Sequence, residues 1–182
     1  NKVTGIYNKQ ILLKGIEEPL GKFLVPFLSQ DGFVLSKGQN QLPVATRFGK
    51  AGNLICNEVV VENSGAEQVR NGANFLFNFS NDGWFKDNYI SDLHFYYARL
   101  QAVENRKDIS VANNCGINAI INSNGSITSE KKDKSSTLVS GTIQPNNNIS
   151  LFTKYPLFFP VLLITFILIC LLTFKLKTIR NR

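Results

Sequence analysis

The chain has one histidine, three cysteines and no methionine in 182 residues. With His94 as the sole imidazole, a His-rich metal site or a Ser-His-Asp triad is hard to build. Cys56, Cys115 and Cys170 are too few and too irregularly spaced for a disulfide framework, and no CxxC or His/Cys cluster accompanies them. No metal ligand set and no cofactor is expected. The absence of methionine, with Asn1 at the start, is what a fragment or a processed product would show.

Acid is scarce at one end. The net charge is +7, but residues 175–182 hold Lys175, Lys177, Arg180 and Arg182 with no acid; without them the remainder carries +3. Nucleic-acid binding needs a basic stripe on the folded part. None is visible, so no nucleic-acid partner is expected.

Charge is missing altogether from residues 155–174, YPLFFPVLLITFILICLLTF. At 1.5 Å per residue, about 20 apolar residues span a hydrocarbon core of about 30 Å. Pro156 and Pro160 fall in the first turns, where proline is tolerated. Core helices are rarely apolar on every face over such a length. The expected organisation is a catalytic domain over 1–144, a linker over 145–154, a transmembrane helix over 155–174 and a basic tail over 175–182. Positive charge stays on the cytoplasmic side, which puts the tail in the cytoplasm and the domain across the membrane.

Ahead of that segment, residues 51–56 and 74–79 read as short buried strands, and residues 58–70 as a helix stopped by Gly72. Ser91 or Asp92 caps a helix reaching Arg106, with Leu93, Tyr96, Tyr97, Leu100 and Val103 as its apolar face. Residues 109–112 and 117–121 are strand-like, Asn124-Gly125 marks a hairpin, and 137–143 is a last strand candidate. Residues 130–136 are a polar loop. Strands and helices alternate first and antiparallel strands follow, which predicts an α/β fold on a mixed sheet.

Cys56 ends the first of those strands and precedes a helix, the position where α/β folds display functional groups. A thiolate there can attack a carbonyl, and a helix N-terminus favours both the thiolate and a developing oxyanion. A lone strand cysteine is more commonly a small buried hydrophobe. His94 lies near the start of a helix, where imidazoles are mostly structural, so a papain-like Cys/His pair is not the default. A cysteine enzyme without histidine would use a carboxylate as base and a lysine for oxyanion charge. Lys9, Glu17 and Glu58 are the candidates.

Five motifs in order add to this. YNKQILLKGIE, containing Tyr7, Lys9 and Glu17, resembles Y-x-K-x-x-L-V-P-G-V-E. GKAGNLICNE, containing Cys56 and Glu58, resembles G-x-L-I-C-Y-E. NFSNDGWF around Trp84 resembles N-x-S-N-D-A-W-F, ARLQAVENR resembles A-R-x-R-A-I-E-N-x-R, and VANNCG resembles R-A-T-N-T-G. Together they resemble the apolipoprotein N-acyltransferase branch of the nitrilase, or carbon–nitrogen hydrolase, superfamily over about residues 5–155.

The resemblance implies a nitrilase-like α/β sandwich, partial here because the N-terminal strands are missing, closed by one transmembrane helix. It implies that Cys56 takes an acyl group from a phospholipid as a thioester and passes it to the N-terminal amine of a diacylglyceryl-cysteine lipoprotein. Lys9 would stabilise the oxyanion. Glu17 and Glu58 would orient Lys9 and support the thiolate's surroundings, and Trp84 would stand at the site mouth as a substrate contact or an apolar plug. The setting implied is the bacterial inner membrane, with the catalytic domain on the periplasmic side and the C-terminus cytoplasmic. Asn57 replaces the family's tyrosine, Lys14 its proline, and Asn113-Asn114 its T-N pair. The family's general-base glutamate precedes the lysine by tens of residues, a position this chain does not contain. The isolated chain is therefore expected to be inactive unless a preceding segment or second chain supplies it. A nitrilase-type amidase and a non-catalytic membrane-tethered remnant are the competing expectations.

Overall fold

The computed structural model describes residues 3, 5–14, 17, 35–39, 42–85, 89–132 and 138–180. Its frame is one six-stranded sheet in sequence order: β1 (Val44–Thr46), β2 (Gly49–Ile55), β3 (Phe75–Ser80), β4 (Ile109–Asn113), β5 (Asn118–Ile121) and β6 (Ile127–Lys131). The middle strands β2, β3 and β4 are parallel; β1, β5 and β6 join antiparallel. Parallel neighbours need crossovers, which α1 (Ser64–Arg70) and α2 (Tyr89–Asn105) provide.

Strand register sorts the side chains. Leu76 lies beside Gly52 and Ile109, and Asn78 beside Leu54 and Val111, so these share one face. That face meets the helices: Leu54, Leu76, Ile109, Val111, Ala119 and Ile121 pack with Val69, Phe95, Ala98 and Ala102 into the core. Gly52 lets α1 approach closely, since a Cβ there would sit 2.7 Å from Leu76 and 2.8 Å from the Gln68 side chain. On the opposite face Phe75, Phe77 and Phe79 stack along β3, with ring centroids 5.4 and 5.5 Å apart, and Phe79 is exposed.

The predicted elements differ from those observed in instructive places. The span expected as one helix over 58–70 is a 3-10 turn, Cys56–Val60, followed by α1. Asn63 between them takes a left-handed φ of 66° that an unbroken helix cannot contain. Strand β1 went unpredicted, its three residues being too few to show a period. Residues 138–143 form no strand, and Thr137 and 133–136 lie outside the described residues. Glu130 and Lys131, expected in a loop, belong to β6. The Asn124-Gly125 hairpin is present, with Gly125 at φ 84°.

The largest difference concerns α2. Its buried side is His94, Phe95, Ala98, Gln101, Ala102 and Asn105, while Tyr96, Leu100 and Val103 are exposed. Alanines permit close approach to the sheet, and the buried amides have partners: Gln101 donates to the Val59 carbonyl at 3.1 Å, and Asn105 accepts from Thr153 at 2.8 Å. Of the expected face, Tyr97 packs against the core and Leu93 is half-buried; hydrogen-bonded polar groups can be buried too, so apolar periodicity alone misplaced the centre of the buried side.

Beyond the sheet, a one-turn helix α3 (Leu151–Lys154) leads into α4 (Phe158–Arg180). Within α4, Phe158–Thr178 has mean hydropathy 2.5 and is long and apolar enough to cross a membrane. The approach to it is pinned. Lys107, fully buried, donates to the Asn146 carbonyl at 2.8 Å and the Asn148 carbonyl at 2.6 Å. Arg70 donates to the Thr153 carbonyl at 2.9 Å, and Ser150 caps α3 through the Thr153 N–H. Burial holds the Lys107 amine below the ordinary lysine pKa. Lys107→Met should leave those carbonyls unpaired at a cost of about 1–3 kcal/mol, measurable as a lower chemical-denaturation midpoint with an unchanged slope.

Candidate functional site

The parallel strands β2, β3 and β4 end side by side, and the candidate groups gather at those ends. Cys56 follows β2, Asp82 and Trp84 lie in a 3-10 turn (Asp82–Trp84) after β3, and Asn113 closes β4. Cys56 holds a left-handed φ of 53°. For a residue with a Cβ this conformation costs about 1–2 kcal/mol, and strained turns of this kind concentrate at functional sites.

Glu58 organises the approach to Cys56. The residue is 1% exposed, and each carboxylate oxygen accepts twice. One takes the Gln10 N–H at 2.5 Å and the Ile11 N–H at 3.1 Å. The other takes the Tyr7 hydroxyl at 3.0 Å and the Ile55 N–H at 2.7 Å. The last bond reaches the residue before Cys56, so one carboxylate joins the Lys9 segment to the end of β2. Burial and the Glu58 charge together hold the Tyr7 phenol protonated, above its ordinary range.

Lys9 lies between those anchors. Its ammonium donates to both oxygens of Glu17 at 2.7 and 2.5 Å, and Glu17 also accepts the Leu13 N–H at 2.7 Å. The side chains are 12% and 24% exposed, so the pair is shielded yet reachable. Glu17 thus touches Lys9 directly, whereas Glu58 grips the Tyr7 hydroxyl before it and the Gln10 and Ile11 backbone after it.

Burial pushes the Cys56 thiol above its ordinary pKa. The Lys9 charge and the Asn57 N–H act in the opposite direction, and Asp82 and Glu17 add to the rise. At neutral pH the sulfur is therefore a thiol, and nucleophilic attack requires a group to take its proton.

A second cluster was not legible in the sequence. His94 Nδ1 lies 3.0 and 3.2 Å from the two oxygens of Asp82, and Asn113 Nδ2 donates to the same carboxylate. Asp82 and His94 are buried, and each offers an atom that, with Cys56 Sγ, forms a set mutually within 4.8 Å. The three residues come from different elements, so no ligand spacing announces them; the only available signal was the Asp in the SNDGW run preceding the sole histidine. A separate groove of about 820 Å³ follows α4, lined by Tyr155, Phe158, Leu162 and Phe166 among others. None of the candidate site residues lines it.

The sheet, the open strand ends and the Cys, Lys and Glu groups define the class. The sequence profile of the carbon-nitrogen hydrolase family matches residues 1–150, and the chain belongs to that family. Within it, the chain is similar to curated apolipoprotein N-acyltransferases. It is 33% identical over 136 residues to that of Wigglesworthia glossinidia brevipalpis, covering 71% of this chain and 27% of the relative. To that of Geobacter metallireducens it is 29% identical over 120 residues, covering 66% and 23%. The chain spans about a quarter of the length of the curated relatives it matches.

Among solved structures, a carbon-nitrogen hydrolase from Helicobacter pylori superposes with TM-score 0.58 at 16% identity, over 76% of this chain and 51% of that one. The C. elegans NitFhit protein gives 0.53 at 17% identity, over 71% and 32%. At such identity these establish the nitrilase-like fold alone.

Proposed function

We propose that the chain is the nucleophile-bearing part of a lipoprotein N-acyltransferase that works through a thioester on Cys56. The observation that carries this reading is the placement of Cys56, in a left-handed turn at the open end of β2, next to a segment that Glu58 ties to β2 and whose Lys9 is held by Glu17. In the first half-reaction the Cys56 sulfur, relieved of its proton, attacks the ester carbonyl of a phospholipid. The Lys9 ammonium stabilises the oxyanion, the lysophospholipid oxygen leaves with a proton, and the acyl group remains on sulfur. In the second, the N-terminal amine of a diacylglyceryl-cysteine lipoprotein attacks the thioester, loses a proton and expels the thiolate.

Glu17 keeps Lys9 in place, and Glu58 holds the lysine segment against β2. Trp84, in the turn after β3, borders the substrate entrance. Helix α4 spans the bacterial inner membrane, with the sheet on the periplasmic side and the basic C-terminal residues in the cytoplasm. A lipid donor calls for a site near the bilayer, and the pinned approach to α4 supplies that proximity. The acceptor for the Cys56 proton is a carboxylate from sequence outside this stretch, in a preceding segment or second chain. The stretch by itself is then inactive.

The test supplies a phospholipid with a radiolabelled acyl chain to membranes containing the chain, alone and together with its upstream coding sequence. Label should appear on Cys56 and be released by neutral hydroxylamine only in the second case. Label that persists in Cys56→Ala, or full lipoprotein acylation by that variant, would sink the reading.

A further inference from the structure

The Cys56–Asp82–His94 cluster supports more than the proposed reaction uses. We propose that these three residues form a binding site for a thiophilic divalent cation, zinc or cadmium, whose occupancy blocks the nucleophile. The donor set is one sulfur, one imidazole nitrogen and one carboxylate oxygen, all mutually within 4.8 Å. Such a mixed set suits a borderline-soft ion that takes four tetrahedral ligands, and a water would complete the shell. At metal–ligand lengths of about 2.0–2.3 Å, tetrahedral donors stand about 3.5 Å apart. The His94–Asp82 contact at 3.0 Å is already inside that spacing, so the required closure falls on the sulfur.

The surroundings provide the outer support a metal site needs. Asn113 donates to Asp82 and, at 3.3 Å, contacts Ser91 on α2, tying the β4 end to the helix that carries His94. Asp82 and His94 have side chains 1% and 5% exposed, so their geometry is set by packing rather than by solvent. Cys56 is only partly buried, which leaves the ion a way in.

Binding balances simply. The thiol loses its proton to solvent and forms the metal–sulfur bond. The imidazole binds through a nitrogen lone pair and stays neutral, its hydrogen moving to the other ring nitrogen where Nδ1 is the ligand. One Asp82 oxygen exchanges a hydrogen bond for the metal. One proton leaves per ion, and the bound cation draws charge from the sulfur and covers it, which suppresses attack on a carbonyl.

The experiment titrates the purified full chain in detergent with zinc alone and with cadmium alone, in the absence of any lipid or lipoprotein. Uptake of one ion per chain is expected, with an ultraviolet thiolate-to-cadmium band and alkylation of Cys56, mapped by peptide mass, slowed at least tenfold. Cys56→Ser should abolish the band. His94→Gln, which keeps a donor toward Asp82, and Asp82→Asn should each weaken uptake at least tenfold, and Cys115→Ser should not. Should Asp82→Asn fail to fold, Cys56→Ser and His94→Gln decide. Unchanged Cys56 alkylation at saturating metal, a band surviving in Cys56→Ser, or equal affinity in His94→Gln would each overturn the proposal. Because binding is read without substrate, its outcome is separate from that of the acyl-transfer assay.

Discussion

Replacing Lys9 with methionine should lower thioester formation on Cys56 by on the order of 10²–10³-fold, the usual consequence of removing one oxyanion donor. The replacement keeps the length and apolar stem of the side chain and removes only the charge. Glu17 then loses its ammonium partner but keeps the Leu13 N–H, and at 24% exposure the carboxylate can be hydrated. The fold should therefore survive. The loss belongs in the rate of acyl-enzyme formation rather than in lipid affinity, because the charge it answers exists only in the transition state. Single-turnover labelling with the radiolabelled phospholipid, in the form that carries the upstream sequence, separates the two. A Lys9→Met protein that acylates Cys56 at the parental rate would remove Lys9 from the mechanism. The same variant should also titrate Cys56 at higher pH, since the lysine charge is, with the Asn57 N–H, one of the two influences that oppose burial at the thiol.

Glu58→Ala should destabilise the chain by more than about 3 kcal/mol. Four donors lose their acceptor at once: the Gln10, Ile11 and Ile55 N–H groups and the Tyr7 hydroxyl. Each buried donor left unpaired costs about 1–3 kcal/mol, and water entering the gap recovers only part. For a chain of this size that is a drop of roughly 6–12 °C in melting temperature. Glu58→Gln should fall between, because its amide oxygen can still accept while its NH₂ faces donors. Thermal melts of the three proteins should rank parent, Gln, Ala. If alanine melts within about 2 °C of the parent, at most about 1 kcal/mol has been lost and the four bonds do not hold the segment.

Much of this was readable before any coordinates. The two apolar runs around Asn53 and Phe77 are β2 and β3, and Asn124-Gly125 turns the β5–β6 hairpin. In these segments local pattern and tertiary environment ask for the same residues. They part company on α2. Leu93, Tyr96, Tyr97, Leu100 and Val103 make the more apolar stripe, yet of these only Tyr97 packs against the core, and the fold buries Ala98, Gln101, Ala102 and Asn105. The deciding contacts, Val59 for Gln101 and Thr153 for Asn105, lie 42 and 48 residues away and leave no periodic trace. The break at Asn63 hid for a similar reason, since a single left-handed residue interrupts a helix without altering its composition.

The site divides along the same line. Cys56, Lys9, Glu17 and Glu58 were nameable from ordered motifs, and the structure brings the lysine segment to the cysteine strand through Glu58. That Glu58 grips backbone rather than the lysine itself required geometry. The pairing of Asp82 with His94 required it too, because those residues meet only when the turn after β3 folds over the first turns of α2.

The bonds from Lys107, Arg70 and Asn105 to residues 146–153 carry a mechanical consequence. A loose tether would let the sheet wander over the lipid surface and sample many distances to it. A stretch fastened at α1, at the end of α2 and at the loop after it works instead as a bracket. It holds the stretch that leads into α4 at one place beside α1 and the end of α2. On the proposed reading, in which α4 crosses a bilayer, the thickness of that bilayer, which sets how steeply a long apolar helix leans, becomes a variable that the Cys56 turn answers to.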